Sequence, residues 1–177
     1  MKIKYLLTLG GLALLLAGLH AAPVTGSSGL TGKWILDVAH STPIRPWDHA
    51  AISIAVNATT VVITRDLAWG KDRRVADTTT VVPDGKTATA NPVGYWLDTW
   101  YTNVYIGGDH QKHVTGEWLD GGRVLKLETN LMLEAQQGDH PVTIHSEYRL
   151  SPDVRTLRLF ELRSTRDQAL VYVFNRE

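Results

Sequence analysis

The residue types most suited to metal chemistry meet in one short stretch of the chain. Asp109, His110 and His113 lie within five residues of one another, beside a predicted turn. One carboxylate and two imidazoles could reach a zinc or copper ion if the loop folded back, but such sites need three or four converging ligands. Either His140 or His145 could complete the set of ligands, but not both together. The two are five residues apart, so in a strand their side chains point to opposite faces. We therefore expect exposed polar residues here, with no bound metal and no cofactor.

Signals for covalent or phosphate chemistry are weak. The chain has no cysteine and no G-x-S-x-G elbow, and Ser151 precedes a proline in a tight turn. The glycine pairs Gly107-Gly108 and Gly121-Gly122 precede predicted strands rather than helices, so they do not predict a phosphate-binding loop. The acids Asp98 and Glu117 have no spacing typical of glycoside cleavage. These observations predict that the protein is not an enzyme.

Aromatic residues are concentrated in one tract, residues 94–105. Five of the fourteen aromatic side chains fall between Tyr95 and Tyr105, and we expect Trp69 to lie near them. Such a cluster could line the mouth of a cup that holds an apolar ligand, or could stack on sugars. It could equally plug the open end of a barrel. The sequence leaves both interpretations open.

The elements that would position these residues are predicted to be β-strands. In residues 147–163, two alternating runs flank the turn Ser151-Pro152-Asp153, which indicates a β-hairpin. Similar runs separated by turn residues follow one another along the chain. The fold class predicted is all-β: a single antiparallel meander β-barrel or strongly curved sheet of about nine or ten strands, after an N-terminal signal helix. The inward side chains expected from the clearest alternation are Leu125, Leu127, Thr129, Leu131, Leu133, Val142, Ile144, Ser146, Tyr148 and Leu150.

A weaker hairpin is predicted over residues 74–91. Pro83-Asp84-Gly85 is a strong turn signal between two polar runs. Small residues here and on an earlier strand, namely Ala88, Ala90 and Ser53, are expected to face inward and to leave room in the barrel.

The chain begins with features of a secretory signal peptide. Lys2 and Lys4 precede an apolar run that is shorter than the roughly 20 residues of a membrane-spanning helix. We expect residues 1–21 to be the signal peptide, 22–29 a flexible leader and 30–177 a single barrel domain. The expected location is periplasmic or secreted, with no stable membrane insertion after cleavage.

Charge and cysteine content narrow the partners. The chain has 18 Lys and Arg against 18 Asp and Glu, and loss of Lys2 and Lys4 would leave a formal charge of −2. No polybasic face is expected, so nucleic acid is a poor candidate partner. Without cysteine there are no disulfides, and the core alone must stabilise the fold.

Several short motifs resemble those of known proteins. Gly32-Lys33-Trp34-Ile35-Leu36-Asp37, the tract from Trp118 to Leu125, Leu150-Ser151-Pro152-Asp153 and Val171-Tyr172 are similar to motifs of a broad group of small exported bacterial β-proteins of uncharacterised function. Val154 stands where that group has glycine, so we expect a different turn there. The G-x-W opening also resembles the first strand of lipocalins, and that resemblance implies a calycin-like barrel able to carry a small apolar ligand.

The sequence leads to two hypotheses of different class. The first is a non-enzymatic exported binding protein that takes a small apolar or amphipathic ligand inside the barrel. The alternative is a cell-envelope protein–protein interaction or structural module with a packed interior and no ligand. For the first, the candidate ligand-binding residues are Trp34, Trp69, Trp96, Trp100, Tyr105 and Leu127.

Overall fold

The computed structural model describes residues 28–93, 95–96 and 104–177. The predicted signal peptide and most of the predicted leader lie outside the described residues. Within the described ranges there is no α-helix, only three single-turn 3-10 helices, and none of these is long and apolar enough to cross a membrane. The strands are β1 Gly32–Leu36, β2 His49–Val56, β3 Val61–Trp69, β4 Arg73–Val81, β5 Thr89–Pro92, β6 Tyr95–Trp96, β7 Val104–Tyr105, β8 Gln111–Leu119, β9 Val124–Ala135, β10 Gly138–Leu150, β11 Thr156–Arg163 and β12 Leu170–Arg176.

Ten of these strands form one antiparallel sheet that curls into a nearly closed barrel, which confirms the predicted fold class. The sheet order is β4-β3-β2-β1-β12-β11-β10-β9-β8-β5, while β6 pairs with β7 separately. Most sheet neighbours are also neighbours in sequence, as in a meander. The exceptions are β1 beside β12, which joins the first and last strands, and β5 beside β8.

The predicted hairpin over residues 74–91 is wrong, because β4 and β5 are the two ends of the sheet and not paired neighbours. After Pro83, the Asp84 carboxylate accepts the backbone N–H groups of Lys86 and Thr87. This turn leads the chain away from β4 and across to β8. There Gly85 donates its backbone N–H to Gly116 on β8 at 2.7 Å. The result is a seam between β4 on one side and β5 with β8 on the other.

Side chains hold the seam where a regular ladder is lacking. The Asn91 amide accepts the backbone N–H of Thr80 at 2.6 Å and donates to the Thr80 carbonyl at 3.0 Å, so it replaces a strand partner. Nearer the base, Gly116 lets Val81 pack against β8, since a Cβ there would lie 2.8 Å from the Val81 Cγ2 atom. The barrel therefore closes at this edge through side chains, together with the Gly85–Gly116 backbone hydrogen bond.

The interior contains two apolar clusters. We call the end where β1 begins the base, and the end with the β9–β10 hairpin the rim. The larger cluster, which we call the basal cluster, fills the base with Trp34, Ile54, Leu125, Leu157 and Phe174, and it continues along β2 and β3 to Ala50 and Leu67. The rim cluster is small, and its members are Ile106, Leu131, Val142 and Ile144, with Val93 and Leu133 packed against them.

Trp34 seals the base. Its side chain is fully buried, and its indole N–H donates to the Leu30 carbonyl at 3.1 Å. The Arg176 guanidinium lies over the ring at 4.3 Å from the centroid and donates to the carbonyls of Thr31 and Val154. A side chain at residue 32 would approach this guanidinium to 3.0 Å, so the glycine of the G-x-W motif makes room for the stack.

The predicted faces of the two longest strands are confirmed. Thr129 and Leu133 are half-buried, and the other eight of the ten expected inward residues are buried. The expectation that three small residues leave room inside is wrong. Ala88 and Ala90 are exposed, and Ser53 is half-buried on the face of β2 opposite Ile52 and Ile54.

The β10–β11 turn contains one strained residue. Val154 adopts φ 55°, a left-handed conformation in which a β-branched side chain is strained. The Ser151 hydroxyl donates to Asp153 at 2.6 Å and accepts the Thr156 backbone N–H at 3.0 Å, so local hydrogen bonds enforce the turn.

Replacing Val154 by glycine should therefore raise the free energy of unfolding, by about 1 kcal/mol, because relief of the left-handed strain exceeds the added chain entropy. Urea denaturation measures the change. Val38→Gly is the matched control, since Val38 is also exposed but is not among the positive-φ residues, and there glycine should reduce stability. A loss of stability at both positions would contradict the strain argument.

Candidate functional site

A cavity of about 70 Å³ lies in the upper half of the barrel, between the two apolar clusters. Because one water molecule needs roughly 10–15 Å³ of cavity volume, this cavity holds about five groups of the size of a water molecule. Its lining combines charged and hydroxyl-bearing side chains with aliphatic ones. The lining residues are Arg65, Asp77, Thr79, Val93, Ile106, Lys112, Leu127, Thr129, Leu131, Ile144, Ser146, Tyr148 and Glu161.

A belt of charged side chains crosses the barrel at this level. We use the term charged belt for Arg65, Asp77, Lys112, Glu161 and Arg163. Arg65 and Asp77 are directly opposite each other on β3 and β4, and Lys112 reaches Asp77 across the seam. Glu161 and Arg163 share the inward face of β11 with Leu157 and Leu159. Strand alternation thus places charges in the interior simply by continuing an apolar face.

The three cations of the belt form hydrogen bonds of unequal length to its two carboxylates. The Lys112 ammonium donates to both oxygens of Asp77, at 2.7 and 2.6 Å. On Glu161, one oxygen accepts Arg163 Nε at 2.8 Å together with Arg163 Nη2, and the other accepts Arg65 Nη1 at 3.4 Å. Lys112 and Arg163 therefore hold their carboxylates more tightly than Arg65 does.

Burial and the charges of neighbouring groups shift the pKa values of Lys112 and Arg65 in the belt and of Tyr148 beside it. Burial lowers the pKa of Lys112 although Asp77 opposes the shift. Burial also raises the pKa of Tyr148 to about 12, with Arg65 acting against it. For Arg65, burial acts to lower the pKa, but the charge of Glu161 and lesser contributions from its neighbours keep the pKa above its ordinary value. Near neutral pH, Arg65 is thus charged and the Tyr148 hydroxyl carries its proton.

The aliphatic walls complete the cavity toward the rim. Ile106, Leu131 and Ile144 come from the rim cluster, with Val93 packed against it. Val93 and Ile106 stand on either side of the aromatic tract, and Ile106 forms a bridge to Leu133 on β9. Within the tract, β6 pairs with β7, and residues 94 and 97–103 lie outside the described residues.

Of the six residues predicted to bind ligand, four have described side chains, and among these four only Leu127 lines the cavity. Leu127 is buried and lines the cavity, whereas Trp34 lies in the basal cluster and does not line it. Trp69 at the end of β3 is 43% exposed beneath Arg73, and Tyr105 is 64% exposed. The backbone of Trp96 forms β6. Trp100 lies outside the described residues.

The candidate metal residues converge only in part. His113 Nε2 lies 2.7 Å from the Asp109 carboxylate, but the His110 ring turns to the Ile106 carbonyl, also at 2.7 Å. Among the described residues, no group of three or more His, Cys, Asp or Glu could hold a metal ion.

Sequence reasoning missed the charged belt, although a signal for it exists. Val61 and Ile63 alternate on one face of β3, and two further steps of the same alternation reach Arg65 and Leu67. The same rule extends from Leu157 and Leu159 to Glu161. Residue type argued against this extension, because Arg and Glu are seldom buried unless they are paired.

The cavity therefore offers hydrogen-bond donors and acceptors together with aliphatic carbon, a combination that suits a molecule with a polar and an apolar end. Comparison of the chain with protein-family models, with curated proteins and with solved structures finds no match.

Proposed function

We propose that the protein is an exported, non-enzymatic binding protein that takes one small amphipathic ligand into the upper half of its barrel. The observation that carries the proposal is the cavity between the charged belt and the rim cluster. A wholly apolar ligand would leave the charges of Arg65 and Glu161 against hydrocarbon, which is costly. A ligand with a polar end matches both the charged and the aliphatic side chains of the lining. Of the two ligand classes expected from the sequence, apolar and amphipathic, the proposal therefore keeps only the amphipathic class.

The lower half of the barrel serves a different purpose in this account. Large side chains such as Trp34, Leu125 and Phe174 fill it, and they stabilise a fold that has no disulfide. Binding is thus assigned to the rim side only. Export to the periplasm or beyond is part of the proposal and rests on the basic start and apolar run of residues 1–21.

Native mass spectrometry of the mature protein, purified gently from its own cell envelope, tests the proposal. A reproducible added mass that is lost on denaturation is the expected result, and its value identifies the ligand class. A clean ligand-free mass would contradict the proposal and favour the alternative, an envelope interaction module that binds another protein.

A pair of variants locates the added mass. Ser146 is buried on a cavity wall, so Ser146→Leu fills the space and should remove the added mass. His145→Leu is the matched control on the exposed outer face of the same strand and should retain it. Equal retention in both variants would place the ligand elsewhere.

A further inference from the structure

Arg65 occupies a special place among the charges of the cavity. It stands in the middle of β3, its side chain is 24% exposed, and it borders a second, smaller cavity of about 20 Å³ as well. Ile44, Leu67 and Tyr172 are among the walls of that smaller space. Arg65 therefore borders open volume in two places.

The hydrogen bonds of the belt leave Arg65 with unused donors. A guanidinium carries five N–H donors, and among the described residues Arg65 makes one hydrogen bond, to Glu161 at 3.4 Å. That oxygen belongs to a carboxylate whose other oxygen Arg163 already holds at 2.8 Å. Asp77 opposes Arg65 across the ladder, but both of its oxygens accept from Lys112. Arg65 is thus the cation of the belt that an incoming acceptor can engage.

We propose that the ligand's polar end is an anion, a carboxylate or a phosphate, held in a forked hydrogen bond by Arg65 at the floor of the cavity. The inference deepens the proposed function and rests on it. A planar guanidinium binds these anions through two parallel N–H groups, which a point charge such as Lys112 does not do. A cationic end would find Asp77 and Glu161 already engaged by the protein's own cations.

The remaining walls fit the same ligand. Ser146 and Thr129 supply hydroxyls, and the Tyr148 hydroxyl keeps its proton and can donate, since burial raises its pKa to about 12. Space for about five water-sized groups matches a carboxylate with the first two carbons of its chain. The rest of the chain would run along Leu131 and Ile144 to the rim.

A series of eight-carbon compounds with different ends tests this on the full mature chain by isothermal titration calorimetry. Octanoate or octyl phosphate should bind about tenfold or more tightly than octanol and octylammonium, as expected for a charge-assisted hydrogen bond. The tighter of the two anions identifies the head group. Octanol binding as tightly as both anions would overturn the inference and leave the proposed function standing. Failure of all four compounds to bind would overturn both.

Two further arms separate an amphipathic anion from a free one. Acetate and inorganic phosphate should bind at least about tenfold more weakly than the octyl anions, because they lack the chain that covers the aliphatic wall. Equal binding of acetate and octanoate would overturn the inference, since the site would then be one for a free small anion.

Variants of Arg65 assign the effect to this residue. Arg65→Met should weaken octanoate binding about tenfold and leave octanol binding unchanged, while Arg65→Lys should recover part of the preference because it keeps the charge but not the fork. Arg158→Met is the control, since Arg158 is exposed on the outer face of β11, and it should change neither affinity. An unchanged preference in Arg65→Met would overturn the inference. If that variant does not fold, the head-group series on the unaltered chain decides alone.

Discussion

Replacement of Glu161 by alanine is expected to lower the free energy of unfolding by about 3–5 kcal/mol. Glu161 is 3% exposed, and its two oxygens accept from Arg65 and Arg163 inside the barrel. Removing the carboxylate leaves two guanidiniums in the interior without the acceptor that they share. Because buried charge is costly when its partner is removed, the loss should be far larger than for a surface pair. Urea denaturation followed by tryptophan fluorescence and circular dichroism measures it.

Glu147→Ala is the matched control. Glu147 pairs with Arg149 on the outer face of β10, where its side chain is 31% exposed, and its removal should cost less than about 1 kcal/mol. Equal small losses for Glu147→Ala and Glu161→Ala would show that water reaches the belt freely. That result would contradict the description of the belt as an interior network.

Replacement of Trp34 by alanine should also cost about 3–5 kcal/mol, because it empties a fully buried site at the base. The variant loses the indole hydrogen bond to Leu30 and the ring beneath Arg176 as well. Since Trp34 is below the cavity and does not line it, the protein that remains folded should keep its ligand. Chemical denaturation gives the first result, and native mass spectrometry gives the second.

Trp69→Ala changes the same residue type at a site that is 43% exposed, so it should cost less than about 1 kcal/mol. The comparison separates the structural tryptophan from the surface one. Loss of the ligand in Trp34→Ala at temperatures where the variant is fully folded would contradict the placement of the site, and would restore Trp34 as a binding residue.

The parts of the fold that could be predicted are those governed by local periodicity. The alternation in β9 and β10 gave the correct inward faces because almost every inward position there is apolar or small, as at Leu125 and Ser146. The turn at Ser151-Pro152-Asp153 was predictable from its residue types, and the strain at Val154 follows from the absence of glycine there.

Non-local pairing could not be predicted in the same way. The turn at Pro83-Asp84-Gly85 predicts a reversal of the chain, but it does not determine which strand β5 joins. The pairing of β5 with β8 depends on contacts far apart in sequence, such as Asp84 with Glu117. A turn signal between two polar runs therefore indicated a hairpin where the structure has the seam of the barrel.

The candidate site was missed because two signals disagree at its residues. Their residue types predict exposure, whereas the alternation along their strands predicts burial. Arg65, Lys112 and Glu161 are typical surface residues, and only their mutual pairing makes their burial tolerable. Pairs between strands distant in sequence give no local signal. Aromatic content drew attention instead to Trp69 and Tyr105, which are exposed at the ends of β3 and β7.

The most direct test of the central claim is to map octanoate on the folded protein by two-dimensional NMR with assigned backbone and methyl resonances. Titration should shift the resonances of Leu127, Thr129, Ser146 and Ile144 around the cavity, while the indole N–H resonances of Trp34 at the base and Trp69 on the surface stay unchanged. Shifts confined to Trp69 and the outer face, with the cavity resonances unmoved, would contradict the account.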